Sequence, residues 1–118
     1  MSSENKTKVQ REKRKQRIRK KIFGTGERPR LSVFRSARHV YAQVIDDDKG
    51  ATIAFVHSYK KGVAERADSE QCSVLGKKLA EACKAKNVTK VVFDKNGYAY
   101  HGRIKALADG AREGGLIF

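Results

Sequence analysis

Between Arg30 and His57 the side chains sort by alternation into two sets, three times over, with turn residues between the runs. A β-strand points successive side chains to opposite faces, so this pattern commits the segment to a sheet. In the first run Leu31 and Val33 share a face with Arg35, and Ser32 and Phe34 share the other. In the second, Val40 to Asp46, Val40, Ala42 and Val44 oppose Tyr41, Gln43 and Ile45. In the third, Ala51 to His57, Ile53 and Phe55 oppose Ala54 and Val56. Pro29 has no N–H to donate and fits only the first residue of a strand or an edge. Ser36-Ala37-Arg38-His39 reads as a short hairpin connection. Asp46-Asp47-Asp48-Lys49-Gly50 reads as a second turn, with Gly50 expected at positive φ.

The pattern then changes period. Residues 58 to 67 are polar and read as a loop. Asp68 followed by Gln71 has the spacing of a capping box. Cys72, Leu75, Leu79, Ala82 and Cys83 follow at helical intervals. Gly76 inside that helix either weakens it by about 1 kcal/mol relative to Ala or permits close packing. Asn87 is the expected C-cap. Val88 to Asp94 reads as a fourth strand, short and apolar. Asn96-Gly97 is a strong turn pair, because both residues tolerate positive φ. Tyr98, Tyr100 and His101 occupy a loop ahead of a last helix, whose apolar face is Ile104, Leu107, Ala108 and Ala111. Gly114-Gly115 stops it, with Leu116 placed for the contact beyond the cap. The order β-β-β-α-β-α predicts an α/β fold. Its mixed sheet has about four strands, three of them antiparallel. A helical crossover brings the fourth in parallel to the first, and two helices pack on the sheet.

A chain of 118 residues, 39% hydrophobic, suffices for one small core. No stretch approaches the roughly 18 apolar residues of a membrane span, and no apolar segment of signal-peptide type opens the chain. Cys72 and Cys83 have no metal-ligand spacing and make no disulfide framework. They read as two reduced core cysteines on one helix face, which makes the cytoplasm the expected compartment. Charge is the dominant compositional fact: the net charge is +14. Residues 1–22 carry ten basic side chains (Lys6, Lys8, Arg11, Lys13, Arg14, Lys15, Arg17, Arg19, Lys20, Lys21) against Glu4 and Glu12, hence eight of those fourteen charges. Such a tail points to a polyanion. It holds too few core-forming residues to repay ordering entropy, so it is expected to be disordered alone and helical once phosphates cancel its charge. A membrane-surface helix would need a large apolar face that it lacks. Gly24-Thr25-Gly26 is a hinge, so residues 1–26 read as tail and hinge and residues 27–118 as a single domain.

A metal-dependent nuclease needs several carboxylates converging on two ions. The candidates Asp46, Asp47, Asp48 and Asp94 lie in turns or at a strand end, where Asp is favoured for backbone hydrogen bonding alone. The first strand offers no acid. His39, His57 and His101 show no nucleophile–base pattern, so no catalytic residue, metal or cofactor is assigned. RNA binding has more support. Specific RNA recognition adds stacking and hydroxyl contacts to charge. Tyr41, Tyr98, Tyr100 and His101 can supply these, and Arg28, Arg30, Arg35, Ser36, Arg38 and His39 flank or occupy the first hairpin. Arg103 and Lys105 fall in the first turn of the last helix, where positive charge opposes the helix dipole unless an anion is near.

Two long motifs resemble one family. Residues 93 to 118, FDKNGYAYHGRIKALADGAREGGLIF, are similar to the C-terminal signature of the bacterial large-subunit ribosomal protein L-eighteen. Residues 28 to 47, RPRLSVFRSARHVYAQVIDD, are similar to that family's first hairpin. With the basic tail, the resemblance covers essentially the whole chain. It implies a ribonuclease-H-like topology and a non-enzymatic, structural role in the large ribosomal subunit. The implied partners are 5S rRNA, 23S rRNA and neighbouring 5S-associated ribosomal proteins at the central protuberance, with no membrane and no small-molecule substrate. Without it, the readings left open are a metal-dependent nuclease of that fold and a general nucleic-acid binder.

Overall fold

Leu31, Val33, Val40, Ala42 and Val44 are all shut off from water, and the strand pairing explains how. Leu31 lies opposite Val44 and Val33 opposite Ala42, so five aliphatic side chains make one continuous apolar face. The computed structural model describes residues 3–59 and 67–118. Side chains at positions 3–7, 18, 20 and 21 lie outside that description, as do residues 60–66, most of the polar loop expected there. Helix α1 spans Ser3–Lys21, strands β1, β2 and β3 span Arg30–Arg35, Val40–Asp46 and Ala51–His57, α2 spans Ser69–Lys84, β4 spans Val92–Asp94 and α3 spans Gly102–Glu113. The sheet order is β3-β2-β1-β4. β1 pairs antiparallel with β2 and parallel with β4, and β2 pairs antiparallel with β3. This is the mixed α/β sheet that the alternation and crossover imply.

The strand faces agree with the alternation, except at Ile53. An irregularity in the β2–β3 pairing at Val44/Ile45 leaves Ile53 out of register, and it packs against the core instead of sharing the face of Phe55. β4 is also shorter than the expected Val88 to Asp94. The parallel register sets Arg30 opposite Val92, so Val91 would face Pro29, which has no N–H to extend the ladder. The Pro29 carbonyl accepts the Val92 N–H at 2.9 Å, and Val91 turns instead to the Ile117 carbonyl at 3.1 Å.

Helix α2 starts as its sequence suggests. The Asp68 side chain accepts the Gln71 N–H while the Gln71 side chain accepts the Asp68 N–H, a complete capping box. At the other end Ala85, not Asn87, occupies the cap position. Asn87 takes φ 60° two residues on, with the Val88 N–H reaching the Cys83 carbonyl at 2.9 Å. That bond closes the turn in Schellman fashion. After α3, the Leu116 N–H bonds the Ala111 carbonyl at 3.0 Å, and Leu116 is buried as expected.

The core cluster joins the sheet to Cys72, Leu75, Leu79 and Cys83 of α2 and to Ile104, Leu107 and Ala111 of α3. Both cysteines are free and buried, and burial raises both thiol pKa values. The two helices touch backbone to backbone. A Cβ on Gly76 would sit 2.1 Å from the Leu107 carbonyl oxygen, and one on Gly110 would sit 2.0 Å from that of Ser73. Close packing is therefore the reason for Gly76. Intrinsic propensity alone would make Gly76→Ala stabilising by about 1 kcal/mol. The close approach predicts the opposite sign, a loss of about 1–3 kcal/mol from forced separation of the helices. Urea unfolding decides between them, and a Gly76→Ala variant as stable as the parent would contradict this packing.

Candidate nucleic-acid interface

The loop after β4 is shaped by its turn. Asn96 and Gly97 both have positive φ, 56° and 79°, and the Tyr98 N–H closes back on the Lys95 carbonyl at 3.0 Å. Gly97 is required twice over, since a Cβ there would also lie 2.8 Å from the Arg11 carbonyl oxygen of α1. Helix α1 crosses this turn on polar contacts. Arg11 Nη1 donates to the Asn96 carbonyl at 3.3 Å and Arg14 Nε donates to the Gly97 carbonyl at 3.1 Å. Arg11 also lies over the Tyr98 ring, 4.8 Å from its centroid.

The same loop is tied to the first hairpin. Tyr98 donates its hydroxyl to the Arg35 carbonyl at 3.3 Å, and Arg103 Nη2 donates to the Ser36 carbonyl at 3.3 Å. The Arg35 guanidinium stands 5.1 Å from the Tyr98 centroid. The structure thus brings α1, the hairpin and the aromatic loop into one cationic surface. Arg11 and Lys15 are half-buried on it, while Lys8, Lys13, Arg14, Arg17, Arg19, Arg28, Arg35, Arg38 and Lys105 are exposed. The side chains of Lys6, Lys20 and Lys21 lie outside the described residues.

Individual candidates divide. Tyr98 is buried, 9% exposed, within the core cluster, so its ring is covered by the arginines. Tyr100 is exposed; it packs edge-on against Phe93 and its hydroxyl accepts Arg112 Nη1 at 3.0 Å. His101 precedes α3 in extended conformation without a side-chain cap, and no acid lies in the first turn of α3. Ser36 and His39 close the hairpin, with the Ser36 N–H on the His39 carbonyl at 2.9 Å. Tyr41 lies half-buried on the sheet face turned away from α2 and α3.

Arg30 points elsewhere, into an ion-pair cluster. Its Nε and Nη2 grip the two Asp47 oxygens at 3.0 and 3.2 Å, while Nη1 donates to Asp94 Oδ2 at 3.0 Å. Asp94 Oδ1 accepts the Asn96 N–H at 2.9 Å, and Asp47 Oδ2 accepts the Gly24 N–H at 2.7 Å. Asp46 accepts the N–H groups of Asp48 and Lys49. Two of the four candidate carboxylates do converge, but on a guanidinium. Among the described residues, no group of three His, Cys, Asp or Glu side chains is placed to hold a metal ion.

A family model described as "Ribosomal L18 of archaea, bacteria, mitoch. and chloroplast" matches residues 5–118. The chain belongs to the ribosomal L18 family. It is 57% identical over 106 residues to a protein of Lactobacillus acidophilus named large ribosomal subunit protein uL18, covering 90% of each chain. Proteins of the same name from Desulfosudis oleivorans and Brachyspira hyodysenteriae are each 52% identical, over 124 and 118 residues and 100% of both chains.

In this member of the L18 family, sequence reasoning missed Phe34, Phe55 and His57 as surface aromatics. The signal was present, because all three fall out of phase with the buried aliphatic residues of their strands. It also missed the inward role of Arg30. The Asp47 carboxyl reports on that role. The Arg30 hydrogen bond, aided by the Gly24 N–H and Arg19 and opposed by burial, lowers its pKa from 3.8 to about 2. A carboxyl depressed on folding stabilises above its unfolded pKa, and that contribution is lost as pH falls through the folded value. Stability should therefore drop by up to about 2 kcal/mol from this group between pH ~4 and ~2. Denaturant unfolding across that range should give a flatter pH profile for Asp47→Asn than for the parent. Parallel profiles would contradict the ion pair.

Proposed function

We propose that this ribosomal protein is a non-enzymatic constituent of the large ribosomal subunit, resident in the cytoplasm. It binds 5S rRNA and helps attach it to 23S rRNA in the central protuberance, beside other 5S-associated proteins. One observation carries the reading: α1, the first hairpin and the loop from Asn96 to Arg103 are hydrogen-bonded into a single cationic surface. Family membership supplies the ribosomal setting and the L-eighteen resemblance supplies 5S rRNA. The nuclease alternative loses its support where Asp47 and Asp94 meet Arg30.

Labour divides along the chain. α1 has no apolar face, and its described side chains are mostly exposed, seven of the eleven being cations. It supplies sequence-indifferent phosphate contacts, hence affinity. Arg35, Arg38, Tyr41, Tyr100, His101 and Lys105 are held on the folded domain and supply shape-specific contacts. Deleting residues 1–22 should flatten the slope of log K against log salt by several units, at roughly 0.7–0.9 for each phosphate that the tail neutralises. Preference for 5S rRNA over unrelated RNA of equal length should survive. Filter-binding titrations across a salt series measure both. Absence of any preference in the full chain would overturn the 5S assignment, and an unchanged slope would show that the tail neutralises no phosphate.

A further inference from the structure

The sheet has two faces, and only one is covered by α2 and α3. On the other, Phe34 of β1 lies directly across from Tyr41 of β2, which lies directly across from His57 of β3. Their ring centroids are 5.7 and 6.3 Å apart, and Phe55 joins the row 5.6 Å from His57. Antiparallel strands usually turn polar side chains to water on their open face. Here Phe34 is 47% and Phe55 55% exposed. A cavity of about 580 Å³ opens over this face, lined by Phe34, Tyr41, Phe55, Ser32 and Gln43 and by Lys15 and Arg19 of α1.

We propose that this open face is a base-stacking platform, on which unpaired rRNA bases lie against Phe34, Tyr41 and Phe55. The inference rests on the RNA-binding reading above and extends that surface across the open face of the sheet. Charge complementarity selects the occupant. Aromatic rings beside Lys15 and Arg19 suit a chain with flat apolar bases and phosphates alternating. Ser32 and Gln43 between the rings offer hydrogen bonds to base edges. With strands spaced about 4.8 Å, the row spans roughly 10 Å, enough for two or three bases. Stacking tolerates any base, so the platform favours unpaired loops or ends over a particular sequence.

The chain contains no tryptophan, so Phe34→Trp installs a single reporter. Binding of 5S rRNA should quench its emission strongly, because a stacked base meets the indole face to face. In the otherwise native full chain, Phe34→Ala and Phe55→Ala should each weaken 5S affinity about 5- to 150-fold. The salt slope should not change, since neither substitution removes a cation. Thermal unfolding of each variant checks the fold, and the exposed Phe55 position carries the same test should Phe34→Ala prove unstable. Quenching together with the affinity loss supports the platform. Tight 5S binding with silent emission, or with affinity unchanged in the alanine variants, overturns it and leaves the RNA-binding reading standing. Emission silent to RNA but shifted in assembled subunits would assign the face to a protein neighbour and also overturn it. Failure of the parent chain to bind 5S rRNA would sink the underlying reading as well.

Discussion

Arg30 sits where four segments meet. Its fork holds Asp47 from the β2–β3 turn and Asp94 from the end of β4, and each carboxylate passes the constraint on. Asp47 fixes the Gly24 N–H in the linker that follows α1, and Asp94 fixes the Asn96 N–H in the turn under α1. The Asp94 side chain is 1% exposed and that of Arg30 12%. A buried charge left without its partner costs several kcal/mol. The pair therefore specifies geometry more than it adds net stability: the β2–β3 turn, β4, the linker and the aromatic loop must come together around β1 for both acids to be satisfied. A lysine could not reproduce this, since its point charge lacks the planar fork.

That cluster turns a fold with acids near its strand ends into a cationic scaffold. Asp46, Asp47 and Asp94 are engaged internally, and the chain as a whole keeps a net charge of +14. α1 exploits the scaffold lightly. It has no apolar face and rests on the domain through arginine contacts to backbone carbonyls, Arg11 over Tyr98, and Arg19 with Asp47 at 3.5 Å. Exposed ion pairs are worth roughly 0–1 kcal/mol each. The helix is aimed by these contacts without being bound tightly.

Much of this was legible in the residues. Alternation gave β1, β2 and β3 within one residue, because one face of each is aliphatic and the period of a strand is two. The capping box of Asp68 and Gln71 and the Asn96-Gly97 turn are local signals, and local hydrogen bonds formed as their spacing implies. The errors are non-local. The length of β4 depends on Pro29, far earlier in the chain, standing beside it. Ile53 depends on a pairing irregularity across from Val44. Arg30 looks like any other arginine of a basic hairpin until Asp47 and Asp94 are folded against it. Tyr98 sits in a loop with no apolar period, yet Arg11, Arg35 and the core enclose it. Which face of the sheet stays open could not be read from alternation, which yields two faces and leaves the helices to choose between them.

One guanidinium holds the linker and the aromatic loop in place together. Amide hydrogen exchange in an Arg30→Lys variant tests it residue by residue. The account predicts faster exchange at both the Gly24 and Asn96 amides, whose acceptors Arg30 positions, while amides of α2 and α3 keep their protection. Equal protection of Gly24 and Asn96 in variant and parent would show that Asp47 and Asp94 are held without Arg30, and would contradict the account.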